Sequence, residues 1–191
     1  MVDAVSICNL ALQRVGAKAI SALTEDTTAG RACNRVYTQA RDSELRSHPW
    51  SFARTRVQVA ANSTDPVFGA AKRYALPVDC LRILPTNGVN SSANQDDWQI
   101  EGRFIVTNYG SPINLIYIKQ VTDENEFDAL YTELLIARIA MDIAEKVTQS
   151  NKKKEDAILH YRAVQKEARR INAFERPPQQ LPVDSWITAR Y

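Results

Sequence analysis

A change of hydrophobic period at one proline constrains the fold of this chain more than any other feature of its sequence. Before Pro49 the apolar residues recur every three or four positions, as in helices, and after Thr55 they alternate every two, as in strands. Pro49 lacks the N–H that a helix interior needs and biases His48 away from helical geometry. A helix therefore ends here, and Trp50 and Phe52 offer large apolar surfaces to whatever packs at the joint.

Two helices are predicted before this joint. Asp3 is suited to cap the first helix and Gly16 to end it, and the second helix runs from an N-cap within 24–28 to about Ser47. The apolar line of the second helix is narrow, so we expect its charged side chains to be exposed or to face another subunit: Arg31, Arg35, Arg41, Asp42, Glu44 and Arg46. Asp42 and Arg46 are spaced for an ion pair.

Strands are predicted from about Thr55 to Lys119. Glu101-Gly102 is suited to a two-residue hairpin turn, and 113–118 has the pattern of a strand that is apolar on both faces. The polar stretch 86–97 is a loop, either solvated or a tip that contacts another molecule.

Two further helices are predicted after the strands. Asp123 followed by Glu126 fits a capping box and opens a helix to about Gln149, so apolar around its circumference that helices or a partner subunit should pack on both flanks. A last helix follows Ser150-Asn151, and so short a turn predicts an antiparallel hairpin. The expected fold is α+β: an antiparallel bundle of about four helices (1–50 and 120–175), a small, mostly antiparallel sheet domain inserted at 51–119, and an extended C-terminal arm.

The final segment, 176–191, carries three prolines and no helical period, which favours an extended path. A solvated tail rarely holds the large apolar side chains found here: Leu181, Val183, Trp186, Ile187 and Tyr191. The arm either docks in a groove of another protein or folds back over its own core.

No catalytic, cofactor or metal site is predicted. The three cysteines and two histidines are scattered and fit no zinc spacing, and six scattered glycines build no phosphate loop. A nucleophile pair of Cys33 or Cys80 with a histidine is the weakest hypothesis, because both cysteines lie on apolar faces. No apolar run approaches the roughly 20 residues of a membrane helix, and the start has no secretory pattern, so we expect synthesis in the cytoplasm and reduced thiols.

The net charge of +2 is mild, but the charges are segregated. Acidic residues crowd the start of the predicted third helix: Asp123, Glu124, Glu126, Asp128 and Glu133. Basic residues dominate the last helix: Lys152, Lys153, Lys154, Arg162, Lys166, Arg169, Arg170 and, just after it, Arg176. One interpretation is complementarity to helix dipoles together with solvated helix faces, and another is a pair of oppositely charged faces that meet between neighbouring subunits. A third is a DNA-binding accessory protein that uses Lys152 to Lys154.

Two sequence blocks carry a resemblance to a known family. The first is Arg41 to Ala53 and the second is Tyr74 to Arg82, and they follow Ala11 to Gly16 and Ile20 to Leu23 in the same order as in that family. The chain resembles tail tubular protein A, the head-to-tail adaptor family of short-tailed bacteriophages. The positions that mark the blocks are Pro49, Trp50, Phe52, Tyr74, Pro77 and Asp79.

The resemblance implies a structural protein of the virion tail without catalytic activity. It implies a homododecameric ring between the portal and the tail nozzle, through whose lumen DNA passes. The arm with Trp186, Ile187 and Tyr191 would attach to the portal, and the strand-rich middle would face the nozzle or tail fibres. Twelve weak contacts would add to a joint that hardly dissociates.

Overall fold

The computed structural model describes residues 3–84 and 98–175, which form four α-helices and two small antiparallel sheets. The predicted α+β class is therefore confirmed. The helices are α1 Ala4–Val15, α2 Thr28–Ser47, α3 Ala129–Thr148 and α4 Asn151–Phe174. The strands are β1 Arg54–Val59, β2 Lys72–Ala75, β3 Cys80–Leu84, β4 Trp98–Glu101, β5 Phe104–Thr107 and β6 Ile113–Lys119. The predicted arm, 176–191, and the whole of the predicted polar loop, 86–97, lie outside the described residues.

The predicted ends of the first two helices are confirmed by their caps. The Asp3 side chain accepts a hydrogen bond from the Ser6 N–H at 2.9 Å, and Gly16 ends α1 with φ 73°, a left-handed conformation that suits glycine. Thr27 caps α2, since its Oγ1 accepts from the Gly30 N–H at 3.1 Å.

The third helix is the centre of the bundle, and α1, α2 and α4 all pack against it. Its buried residues include Leu134, Leu135 and Ile139, each with no exposed surface. The expectation that both flanks of this helix are packed is confirmed, and the neighbours found here are helices. α3 and α4 form the predicted hairpin through Gln149 and Ser150.

The predicted start of the third helix is wrong. Asp123 caps only a short 3-10 helix, Glu124–Glu126, and α3 begins five residues later with Asp128 as its N-cap. The chain is extended at Phe127, with φ −70° and ψ 136°, because its ring packs against Phe52 at 6.2 Å between centroids. Tertiary packing of this aromatic residue overrides the local capping signal.

The strands form two three-stranded sheets, in the orders β1-β6-β3 and β2-β5-β4, and not one. The strand predicted to be apolar on both faces is β6, the centre of the first sheet. The turn of the β4–β5 hairpin is Gly102-Arg103, one residue later than predicted, because Glu101 pairs with Phe104. Gly102 has φ 59°, so the glycine occupies the first turn position, where positive φ is required.

The two sheets and the bundle contain two apolar clusters. Tyr74, Ile105 and Leu115 centre the cluster between the sheets, whereas Leu84 and Ile118 belong to the bundle core. The described helices all fall within 1–50 and 120–175 and the strands within 51–119. Because Leu84 of β3 and Ile118 of β6 belong to the bundle core, the first sheet joins the strand-rich segment to the bundle.

Candidate functional site

The first motif block forms the joint between bundle and sheet. Trp50 is 1% exposed, and its Nε1 donates to the Glu44 carbonyl oxygen at 2.9 Å, so the indole covers the C-terminal end of α2. Its ring packs edge-on against Tyr131 of α3 at 5.3 Å between centroids. Phe52 also contacts Tyr131, at 5.0 Å, which ties the start of the strands to the central helix. Pro49 and these aromatics therefore hold the chain where helix becomes strand.

The second motif block has a similar structural role within the sheets. Tyr74 is fully buried and its hydroxyl donates to the Tyr109 carbonyl oxygen at 2.8 Å. The Pro77 carbonyl oxygen accepts from the Cys80 N–H at 3.0 Å. Asp79 accepts from the Tyr117 hydroxyl at 3.1 Å, and burial together with this carboxylate raises the pKa of Tyr117 to about 12.

The two motif blocks contact each other at the joint. Arg46 of the first block donates to the Leu81 carbonyl oxygen of the second, and Arg82 lies 3.4 Å from the Arg46 carbonyl oxygen. Gln120 bridges the blocks, since its N–H donates to the Asp79 carbonyl oxygen and its Nε2 to the Asp42 carboxylate, both at 2.7 Å. Residues about 35 positions apart are thus joined in one contact region.

The ion pair predicted between Asp42 and Arg46 is wrong. The Asp42 carboxylate accepts from Arg41 Nε at 2.8 Å and from Gln120, while Arg46 turns to the Leu81 carbonyl oxygen. The sheet that packs on the end of α2 supplies better-placed partners than the next helical turn.

Two charged residues of α2 predicted to be exposed are buried instead. Arg41 is 7% and Glu44 is 1% exposed. Glu44 Oε1 accepts from the Tyr161 hydroxyl at 2.7 Å and from Arg138 Nη1 at 3.2 Å. A buried carboxylate needs such partners, and they come from α3 and α4, about 100 residues later, so the local pattern of α2 carried no signal of them.

The acidic residues near α3 have partners within the chain. Glu124 accepts from the Tyr37 hydroxyl at 2.8 Å, Glu126 from Lys119 at 2.8 Å, and Glu133 pairs with Arg14. The remaining two, Asp123 and Asp128, are helix caps. These contacts favour the interpretation in which the acids serve the helix ends and the monomer.

The three consecutive lysines of α4 differ in their surroundings. Lys153 Nζ donates to the Val15 carbonyl oxygen at 2.8 Å, which helps to end α1, and Lys154 pairs with Glu145. Lys152 is exposed. The Lys154 ammonium holds the pKa of the Glu145 carboxyl below its usual range.

An open groove runs between α1 and α4 above the small residues Ala137 and Ala140 of α3, with a volume of about 640 Å³. The Arg14 side chain crosses the groove. Its Nη1 lies 2.9 Å from His160 Nε2, and its Nη2 donates to the Glu133 carboxylate. The groove is also lined by Lys153 and Asp156, and within the described residues His160 has a hydrogen bond to Arg14 and none to that carboxylate.

All three cysteines are buried and unbridged. Burial raises the pKa of the Cys80 thiol, and the hydrogen bond between Cys8 and Cys33 together with burial raises the pKa of Cys8. In residues 3–84 and 98–175 no three His, Cys, Asp or Glu side chains are grouped as metal ligands would be. Across the same residues, none of the helices has the length and apolarity to cross a membrane.

We expect the thiols of the folded chain to react at least about a hundredfold more slowly than those of the urea-unfolded chain, because reaction requires local opening. A chromogenic disulfide reagent with and without urea measures the two rates. Fast labelling of Cys33 or Cys80 in the folded chain would revive the cysteine-nucleophile hypothesis.

Large apolar side chains are exposed in the connections before β2 and β3 and on α4. Val67 and Phe68 precede β2, Val78 precedes β3, and Leu159 and Phe174 lie on α4.

Comparison with models of known protein families and with curated protein sequences gave no match. The resemblance to tail tubular protein A therefore rests on the two motif blocks and their order.

The predicted docking residues are all in 176–191, outside the described residues: Leu181, Val183, Trp186, Ile187 and Tyr191. The region that the structure builds from the motif residues is the joint, where Trp50, Arg46, Leu81 and Gln120 meet. Its groups hold the backbone in place and do not form a nucleophile with an adjacent base. The arrangement suits mechanical coupling between the bundle and the sheets.

Proposed function

We propose that this chain is a structural head-to-tail adaptor of a bacteriophage tail, which forms a ring between the portal and the nozzle. The observation that carries the proposal is the contact between the two motif blocks. The residues of the first block, including Trp50, lie at the joint of a four-helix bundle with a small strand-rich unit, whereas Tyr74 of the second block is buried between the sheets of that unit. That arrangement is the one the resemblance implies.

The proposal assigns the apolar C-terminal arm to the portal. Burial of one large apolar side chain contributes about 1.5–3 kcal/mol, and repetition of the contact around a ring turns a weak contact into a stable joint. The strand-rich unit, with Val67 and Phe68 exposed, is assigned to the nozzle or tail-fibre side. DNA passes through the lumen of the ring, which needs no base-reading site.

Deletion of 177–191 should abolish binding to the portal of the same phage, because it removes the apolar anchors of the arm. Binding of purified chain and portal is measured by size-exclusion chromatography with light scattering, which also gives the copy number. The double variant Trp186→Ala, Ile187→Ala should weaken binding strongly.

The matched control is Leu159→Ala, which removes an exposed leucine from α4 and leaves the arm intact. Its portal binding should equal that of the parent chain. Unchanged binding after the arm deletion would refute the assignment of the arm to the portal.

A further inference from the structure

A group of cations lies around the C-terminal end of α2 and along the middle and later turns of α4, without an acidic partner in the described part of the chain. We call it the cationic patch, and its members are Arg46, Arg82, Arg162, Lys166, Arg169 and Arg170. Elsewhere in the same residues some cations pair with carboxylates, as Arg14 does with Glu133, and others, such as Arg54 and Arg56, form no ion pair either, so the patch is distinguished by the clustering of its members. The patch is therefore a local excess of positive charge on a chain whose net charge is only +2.

Three members of the patch converge on the end of α2, although they come from three different elements. Arg82 Nη1 lies 3.4 Å from the Arg46 carbonyl oxygen and 3.5 Å from that of Ser47, and Arg169 Nη2 donates to Ser47 Oγ at 3.2 Å. The C-terminal carbonyls of a helix attract cations, which explains why guanidinium groups gather here. These contacts use few of the five donors that each guanidinium carries, so donors other than the buried Nε of Arg169 remain for a ligand.

The other three members continue the patch along α4. Arg162, Lys166 and Arg170 are spaced four residues apart, so they share one exposed face and present a charge about every 6 Å. The exposed apolar residues of α4, Leu159 and Phe174, lie before and after this row and not within it. The surface is rich in charge and poor in apolar area, which is typical of protein–DNA contacts and unlike the core of a protein–protein interface.

We propose that the cationic patch binds the phosphate backbone of double-stranded DNA without sequence preference. Guanidinium groups match phosphate oxygens with paired donors, and the row on α4 supplies charge along a line. Such contacts would position a duplex without reading its bases, since phosphate contacts carry no sequence information directly. The inference does not depend on the adaptor proposal, because the arm and the portal have no part in it.

The test is DNA binding by the variant Arg162→Gln, Lys166→Gln, Arg170→Gln, which removes three charges that make no described contact within the chain. Binding of the full chain to a short random-sequence duplex is measured by fluorescence anisotropy between about 50 and 200 mM salt. Each phosphate contact contributes about −0.9 to the slope of log K against log salt, so loss of three contacts should reduce the magnitude of the slope by about 2.7. Affinity at the lower salt concentration should drop at least about tenfold.

The matched control is Lys18→Gln, Lys146→Gln, Lys152→Gln, which removes three exposed charges outside the patch. It should retain most of the affinity and the salt slope of the parent chain. An equal loss in both variants would overturn the proposal, since net charge and not the patch would then govern binding. Absence of duplex binding by the parent chain at the lowest salt would overturn it as well.

A second probe separates DNA from an acidic protein as the ligand. A polyglutamate peptide is titrated against the parent chain and the patch variant under the same conditions. Weaker binding of the peptide than of the duplex supports the DNA assignment. Equal or tighter binding that the patch variant loses would overturn it in favour of an acidic protein partner, and portal binding in either case reports separately on the adaptor role.

Discussion

Replacing Trp50 with alanine should lower the free energy of unfolding by about 3–5 kcal/mol, the range for deletion of a large buried aromatic side chain. Trp50 is 1% exposed and contacts Tyr131 of the central helix, so its removal leaves a cavity between α2, α3 and the start of the strands. It also removes the indole donor from the Glu44 carbonyl oxygen. Urea denaturation followed by circular dichroism measures the loss.

Two further variants show how much of this loss comes from the packing of the buried indole. Trp50→Phe keeps much of the packing and loses the hydrogen bond, so its cost should fall well below that of alanine. Phe174→Ala removes an aromatic residue that is 79% exposed, and its cost should stay within about 0.5 kcal/mol. If Trp50→Ala cost no more than Phe174→Ala, the joint would not depend on the indole.

The second large effect is expected at Glu44, the buried carboxylate shared by three helices. Glu44→Ala leaves the Tyr161 hydroxyl and one nitrogen of Arg138 without their acceptor. Removal of one member of a buried ion pair lowers the free energy of unfolding by about 3–5 kcal/mol. We expect a loss at the lower end, about 3 kcal/mol, because the Arg138 side chain is 28% exposed and water can partly replace the carboxylate. The measurement is the same denaturation experiment.

The matched control uses the other partner of the same arginine. Asp142 pairs with Arg138 one helical turn later at 2.9 Å, and both side chains are more than a quarter exposed. Asp142→Ala should therefore cost only about 0.3–0.5 kcal/mol, and Glu44→Gln should fall between the two. Similar losses at Glu44 and Asp142 would mean that burial adds nothing to the Glu44 contacts.

Local signals predicted much of the fold, because caps and periods depend on neighbouring residues. Asp3 and Thr27 cap the starts of the first two helices, and Gly16 ends the first, as their chemistry indicates. The strand region begins after Pro49, as expected. The prediction failed at Asp123, where the aromatic packing of Phe127 decides the start of α3.

Contacts between distant segments were beyond the reach of the sequence pattern. Glu44 occupies a polar position of α2 and gave no sign of burial, since its partners lie on α3 and α4, and Arg41 is likewise buried where the Tyr131 hydroxyl of α3 donates to its carbonyl oxygen. The division into two sheets was also missed, because strand period does not say which strands pair. The cationic patch needed the structure for the same reason: Arg82 and Arg169 meet at Ser47 only in the folded chain.

The central position of α3 determines when the bundle can close during synthesis. α2 ends at Ser47 and α3 begins at Ala129, so about 80 further residues leave the ribosome before the first two helices meet the helix that buries them. At translation rates of about 5–20 residues per second this takes roughly 4–16 s. Throughout that interval the apolar faces around Leu12 and Leu45 lack their main neighbour, and the nascent chain relies on the cell to keep them from aggregating.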